Sequence, residues 1–179
     1  MAQYPGDLER AHRLEDGREV LVRPIRASDE PGERQFFDAL SPETRHFRFM
    51  RYVRSLNEEL LHFFTHVDYE RHMAFVCESQ GDLVGEARYV REGKACEFSI
   101  VIADGWHKTG IAQLLMQALL AHAAASGLET MEGLVLRENR HMLNFVRSLG
   151  FEVHPSEEDP ALARVTKRLK ERVLQTIAP

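Results

Sequence analysis

The sequence predicts an α/β (α+β) fold built on a mixed, mostly antiparallel central sheet. Three observations predict it. Between His72 and Ile102, three β-rich runs follow one another across the short turns Gln80-Gly81-Asp82 and Glu92-Gly93-Lys94, a spacing that fits antiparallel neighbours. From Lys94 to Val153 the chain then reads strand, glycine turn, helix, strand, helix, strand, and a strand–helix–strand crossover brings in a parallel pair. Finally, a chain of 179 residues with 44% apolar and 28% charged residues has the size and composition of one globular domain with a proper core.

Taken in order, residues 1–18 are polar and charged with no sustained apolar face, which predicts an N-terminal arm that frays; residues 19–179 make up the domain. Glu19 to Ile25 is β-rich and short, a first strand. Ser28 is placed as the N-cap of a helix, with Asp29, Glu30 and Pro31 suited to its first turn. Ser41-Pro42-Glu43 repeats that signal for a second helical region running irregularly to His66. Within it, Arg45 to Tyr52 interleaves basic and aromatic residues. It reads either as a patch facing a nucleotide or an acceptor, or as an amphipathic segment with Phe47 and Met50 buried and its arginines solvated. His62 and His66 share a helical face, but Phe63 stands where a zinc-protease motif needs glutamate, so the pair reads as structural. The strands His72–Ser79, Asp82–Val90 and Lys94–Ala103 follow. In the next helix, Ile111, Leu114, Leu115, Ala118 and Leu119 fall on one face. Leu128 to Leu136 is a strand, Asn139 opens a helix closed by Leu149-Gly150-Phe151, and Ala161 to Leu169 is the final strand. A short helix after Leu169 completes the expected elements, about six to seven strands in all.

Composition removes several functions. A formal charge of −5 and a pI of about 6.0 lack the basic surface of non-specific nucleic-acid binding. Cys77 and Cys96 form neither a disulfide framework nor a metal-ligand pattern, and read as reduced thiols of a cytoplasmic protein. No apolar run approaches the ~18 residues of a membrane span, and the polar N-terminus is unlike a signal peptide. No metal, nucleic-acid or membrane partner is expected.

Three features carry chemistry, one of them Asn139, which begins the second amphipathic helix. The segment His107-Lys108-Thr109-Gly110-Ile111-Ala112 turns from a strand into a helix, where free N–H groups and the helix dipole favour an anion such as a pyrophosphate, and Gly110 permits close backbone approach. Glu97 sits in an otherwise apolar strand. Alternation sends Cys96, Phe98, Ile100 and Ile102 to one face and Glu97 and Ser99 to the other. A carboxylate in such a setting, partly desolvated, can take a proton from an amine.

This arrangement resembles the GNAT superfamily of acetyl-CoA-dependent N-acetyltransferases, whose pyrophosphate loop has the form Gln/Arg-x-x-Gly-x-Gly/Ala; here histidine takes the first position. ENRHMLNFVRSLGF resembles the family's Asn-led helix. Within the superfamily, HVDYERHMAFVCES, DLVGEARYV, CEFSIVIADGWHKTGIAQLLMQALL and VLRENRHMLNFVRSLGF resemble the transferase domain of bacterial protein lysine acetyltransferases of the Pat type, which modify acyl-CoA synthetases. The resemblance runs from about Glu19 to Leu169 and leaves out the large synthetase-like domain that many of those enzymes carry.

The resemblance implies the GNAT fold, with helices on both faces of the sheet, and acetyl-CoA as co-substrate. It implies Glu97 as catalytic base and a thioester carbonyl held by a backbone N–H within Ser99, Ile100, Val101 and Ile102, where a bulge would splay the strand from its neighbour. It implies pyrophosphate contacts from His107, Lys108, Thr109, Gly110, Ile111 and Ala112, and further cofactor contacts from Asn139, Met142 and Phe145. Asn139 also suits an N-cap. Many GNATs protonate the leaving thiolate with a tyrosine seven residues after that asparagine; here the position is Val146, a departure shared with Pat-type domains.

The expected reaction is acetyl transfer to a protein lysine of an acyl-CoA synthetase-like acceptor, by direct attack, from a monomer or homodimer. A small amine (polyamine, amino acid or antibiotic) is the alternative acceptor, and a non-catalytic acyl-CoA sensor the alternative class. The acidic loop Glu157-Glu158-Asp159 would draw in a cationic acceptor, or is simply a solvated turn.

Overall fold

A computed structural model describes residues 2–51 and 53–169. Tyr52 and the segment after Leu169, including the expected terminal helix, lie outside the described residues. Eight strands form one sheet: β1 (Arg10–Arg13), β2 (Glu19–Pro24), β3 (His72–Ser79), β4 (Asp82–Glu92), β5 (Ala95–Ile102), β6 (Thr130–Leu136), β7 (Glu152–Pro155) and β8 (Leu162–Arg168). Their order is β1-β2-β3-β4-β5-β6-β8-β7, and all neighbours are antiparallel except β5 and β6. Five helices are α1 (Glu30–Ala39), α2 (Pro42–Phe49), α3 (Glu58–Thr65), α4 (Ile111–Ala125) and α5 (Arg140–Ser148).

The helices cover both faces, and two apolar clusters record this. On one face Ile111, Leu115, Met116 and Leu119 of α4, with Leu143 and Val146 of α5, pack on Phe75, Tyr89, Phe98 and Met131. On the other, Phe36 and Phe37 of α1 and Leu61 and Phe64 of α3 pack on Ala74, Val76 and Val101. α2 buries none of its residues.

The N-terminal arm is a correction. Residues 10–13 pair with β2, from Arg10↔Val22 to Arg13↔Glu19, and Leu14 beside them is buried. An edge strand needs only a backbone partner, so the polar run Arg-Ala-His-Arg hides its strand character; charged side chains also guard a sheet edge. This strand is the one not expected and raises the count from seven to eight; β7 falls where the strand ending at Val153 is expected. Ser28 is a second correction. It lies in a 3-10 turn, Ala27–Asp29, and α1 begins at Glu30. Asp29 is held by Arg23 through two bonds of 2.7 and 2.8 Å and by the Arg26 backbone N–H at 2.9 Å. Ser41 does cap α2, its Oγ accepting from the Thr44 N–H at 3.1 Å.

The feature that positions the site is the parting of β5 from β6. They pair only at Ala95↔Thr130, Cys96↔Met131 and Glu97↔Glu132, while β6 continues with β8 as far as Leu136↔Leu162. The expected bulge in Ser99–Ile102 is absent: β4–β5 register runs unbroken from Gly85↔Ile102 to Glu92↔Ala95, and the irregularity among the described strands lies at Cys77/Glu78 in β3. Side-chain packing accompanies the parting. A Cβ on Gly133 would stand 2.8 Å from Phe98 Cε1 and 3.2 Å from the Phe98 carbonyl oxygen. The Phe98 ring fills that space and meets Phe151 at 5.1 Å between centroids. Replacing Gly133 by alanine should therefore destabilise the fold by about 1–3 kcal/mol through overpacking, with part of the loss recovered in Gly133→Ala/Phe98→Leu. Chemical denaturation of the two variants measures this, and an unshifted midpoint for the single variant would refute the contact.

Candidate active site

The gap between β5 and β6 opens into a cleft of about 1220 Å³. Its first half is made by strand, loop and helix. Ser99, Ile100, Val101 and Ile102 line it along β5, and Asn139, Met142 and Phe145 line it from α5. Asn139 is also the N-cap of α5, its Oδ1 accepting from the Met142 N–H at 3.1 Å. Beyond Glu97 the β5 edge facing β6 has no strand partner, which leaves backbone polar groups for something else to satisfy.

The glycine turn closes this half. Lys108 and Gly110 both have positive φ, 61° and 93°, a conformation glycine adopts without cost and lysine does not. His107 explains how its departure from the family pattern is accommodated: Nε2 donates to the Ile102 carbonyl at 3.1 Å and ties the loop to the end of β5. His107, Lys108, Gly110 and Ala112 line the cleft. Thr109 and Ile111 do not. Thr109 Oγ1 donates to the Trp106 carbonyl at 2.7 Å, and Ile111 is fully buried under α4, so any contact from these two is made by backbone.

The second half of the cleft holds Glu97. It stands at the last paired position of β5, side by side with Glu132 of β6, and both line the cleft. Glu132 pairs with Arg164 at 2.5 Å. The expected desolvation of Glu97 is not met, since its side chain is exposed. The apolar layer of α1 and α3 reaches Val101 but stops short of this end of the sheet, where Val90 and Leu134 are 41% and 37% exposed; Phe63 on α3 is 47% exposed. Glu157, Glu158 and Asp159 are exposed and outside the cleft lining.

α2 walls both halves, with Thr44, Phe47, Arg48, Phe49 and Met50 along the cleft. Phe47 and Met50 are half-buried rather than core residues, and Arg48 is half-buried rather than solvated. Asp104, just before the glycine turn, accepts from the Ser41 N–H (2.9 Å), Ser41 Oγ (2.7 Å) and Thr44 Oγ1 (2.7 Å). On the far lip His46 Nε2 donates to Glu138 Oε1 at 3.2 Å, next to Asn139. Neither Asp104 nor Glu132 stands out in the sequence, whereas Arg48 belongs to the Arg45–Tyr52 run, one reading of which is a patch facing a nucleotide or an acceptor. Glu132 carries the one usable signal, a glutamate inside the alternating strand TMEGLVL, the pattern that singles out Glu97.

A strand fork beside a glycine-opened helix, with a carboxylate at its throat, defines an acyl-carrier-dependent transferase, and comparison with known proteins gives the family. The model of the acetyltransferase (GNAT) family matches residues 34–151. The chain is 39% identical over 145 residues to acetyltransferase PA5475 of Pseudomonas aeruginosa, covering 77% of each protein. Its fold superposes on the GNAT domain of S. lividans PAT with a TM-score of 0.88 at 24% identity, over 93% of this chain and 100% of that one. It also superposes on yncA, a putative acetyltransferase from Salmonella typhimurium solved with acetyl-CoA, with a TM-score of 0.69 at 17% identity, over 89% and 99% of the two chains. The chain belongs to the acetyltransferase (GNAT) family, enzymes that take their acetyl group from acetyl-CoA. Among the described residues no helix is long and apolar enough to cross a membrane.

Behind the α2 wall lies a buried charged network. Glu86 and Arg88, neighbours on one face of β4, form a fully buried ion pair through Arg88 Nη2 and Glu86 Oε2. Arg88 Nη1 also donates to the Phe64 carbonyl at 3.1 Å and to His72 Nε2 at 2.9 Å. Glu33 from α1 is buried against Glu86; burial first, and then the charge of Glu86, push its pKa well up, and its Oε2 has no hydrogen-bond partner. Burial, followed by the cation of Arg88, lowers His72 to about 4. His72 is thus neutral in the fold and accepts from Arg88. Its folded pKa lies below the ordinary value near 6.5, so the unfolded chain binds the proton first. The corresponding stability is present above pH ~6.5 and is lost as pH falls towards 4, a contribution on the order of 3 kcal/mol. His72→Gln, which keeps an acceptor, should flatten that fall relative to wild type in unfolding titrations at stepped pH; parallel curves would remove His72 from the acid response.

Proposed function

We propose that this protein acetylates a protein lysine, with acetyl-CoA as donor and Glu97 as the general base. The observation that carries the reading is the openness of the cleft around Glu97. Val90, Leu134 and Phe63 are exposed there, a shallow apolar rim suited to the surface of another protein, where a small amine calls for an enclosed pocket.

In this reading the diphosphate of acetyl-CoA lies on the N–H groups of the His107–Ala112 turn at the start of α4. The pantetheine arm runs between β5 and α5, past Met142 and Phe145, and adds hydrogen bonds to the unpaired β5 edge. The thioester then reaches the throat of the fork beside Glu97. The acceptor ammonium gives a proton to the Glu97 carboxylate, directly or through one water, and the freed nitrogen attacks the thioester carbon. Negative charge develops on the carbonyl oxygen, where a backbone N–H within Ser99–Ile102 donates to it. As the adduct collapses, the C–S bond breaks, the second nitrogen proton is released to solvent, and coenzyme A leaves as a thiolate. Val146, which holds the position of the usual tyrosine acid, is buried in the core and has no proton to give, so the thiolate takes its proton from water. Cys77 and Cys96 are both buried, which lifts their thiols to about 12; neither suits a covalent acetyl carrier.

The test is acetyl transfer to a purified acyl-CoA synthetase, read by peptide mass spectrometry, with Glu97→Gln in parallel. Modification of a defined lysine by wild type is expected. The variant should lose ~10²–10⁴-fold in kcat with KM for acetyl-CoA changed less than about twofold, because Glu97 acts on the acceptor proton alone. Full turnover by Glu97→Gln across pH would sink the base, and transfer to polyamines but to no protein would make the acceptor a small amine.

A further inference from the structure

Arg48 is placed unlike the other deeply set arginines of this protein. Arg23 is bonded to Asp29 and Glu78, and Arg88 to Glu86, the Phe64 carbonyl and His72. A guanidinium withdrawn from water normally finds such partners, because its five N–H donors are costly to leave unmet. Arg48 is half-buried, yet among the described residues it makes no hydrogen bond or ion pair. Its contacts are aromatic: Cζ lies 4.9 Å from the Phe49 ring centroid and 5.6 Å from that of Phe64. These rings hold the planar cation in place and leave its edge donors available.

Glu86 and then Glu33 act on the charge of Arg48 and favour the cation, but neither forms an ion pair or a hydrogen bond with it. Glu86 is matched by Arg88 in the buried pair. Burial, and then the charge of Glu86, raise the pKa of Glu33, the other carboxylate nearby. Burial lowers Arg48 itself only to about 10, so it is a cation at neutral pH. The same side chain lines the cleft that contains Glu97. The cleft lining thus includes a cation with free planar donors together with the carboxylate that, in this reading, receives the amine proton.

We infer that Arg48 forms a carboxylate-binding subsite, so that the preferred acceptor carries a carboxylate close to the amine that becomes acetylated. The inference rests on the reading of Glu97 as the acceptor-side base. The carboxylate has two sources with the same chemistry: an acidic side chain next to the target lysine, or the acid group of a small amino acid. A planar guanidinium and a carboxylate meet through paired N–H···O bonds, which fixes the orientation of the acceptor as well as its affinity.

The experiment compares matched acceptors with the full chain and saturating acetyl-CoA. One pair is a lysine peptide with Glu beside the lysine and its Gln counterpart; the other is 6-aminohexanoate and its amide. Wild type should favour the acid member by ~10-fold or more in kcat/KM. Arg48→Met should bring the two members within about twofold of each other, and Arg48→Lys should keep part of the preference. The readout is a ratio, so a variant that is partly unfolded still reports it faithfully. Preference in the peptide pair alone assigns the carboxylate to a protein side chain, and preference in the small pair alone assigns it to an amino acid. Good turnover with a ratio of one in both pairs, or an equal loss on both members in Arg48→Met, overturns the subsite and leaves Glu97 in place. Transfer to none of the four acceptors overturns the acceptor reading and the subsite together.

Discussion

The pairing of β5 with β6 stops after three residues, and the rest of the site depends on that limit. A parallel strand pair that continued past Glu97 and Glu132 would close the sheet and consume the backbone donors of Ser99–Ile102. Because β6 stays with β8 and β5 stays with β4, the two halves of the sheet part as intact units. The cleft is therefore bounded by regular strands, each paired along its far edge, which hold side chains more precisely than loops do. Glu97 owes its position to being the last paired residue of its strand: its backbone is fixed by neighbours on both sides, while the space ahead of it is open.

The chemistry of the two cleft walls differs for a reason rooted in layering. The α4–α5 side is largely apolar apart from a hydrogen bond between Tyr89 and His122, and meets the cleft with polar groups near its helix starts at Gly110 and Asn139. The α1–α3 side buries a compact set of polar groups, the Glu86–Arg88 ion pair with Glu33 and a neutral His72, beside aromatic rings. Buried ion pairs contribute little net stability against an apolar replacement, but removing one member leaves an uncompensated charge. Such a network resists rearrangement, and it supplies α2, a short helix with no buried residue of its own, with a fixed surface to lie against.

Much of this was legible in the sequence. The three antiparallel strands, the crossover and the faces of α4 and α5 follow from period and turn chemistry, because each is decided within about ten residues of chain. The residues marked for the site by the turn at Gly110, the lone Glu97 and the helix opened by Asn139 are brought to one cleft, with the side chains of Thr109 and Ile111 turned elsewhere. What could not be read depends on partners distant in sequence. β1 is a strand because β2 lies beside it, not because Arg-Ala-His-Arg favours extension. The fork needs Phe98 and Gly133 side by side, which no local pattern shows. The exposure of Glu97 follows from where the α1–α3 layer ends. Arg48 lies in RHFRFMRY, a run that reads either as a patch facing a nucleotide or an acceptor or as an amphipathic segment with solvated arginines; its half-buried place beside Phe49 and Phe64 depends on a residue distant in sequence.

The single carboxylate of Asp104 has a consequence beyond holding α2. It sits at the root of the turn that opens α4, and its three accepted hydrogen bonds all come from the first turn of α2 and its cap. Partial burial alone would raise its pKa; the Ser41 and Thr44 donors more than offset this and keep it ionised. The turn and the helix thus share a hinge pin. A change in either element is therefore felt at the same carboxylate, which makes the turn and the α2 wall one mechanical unit.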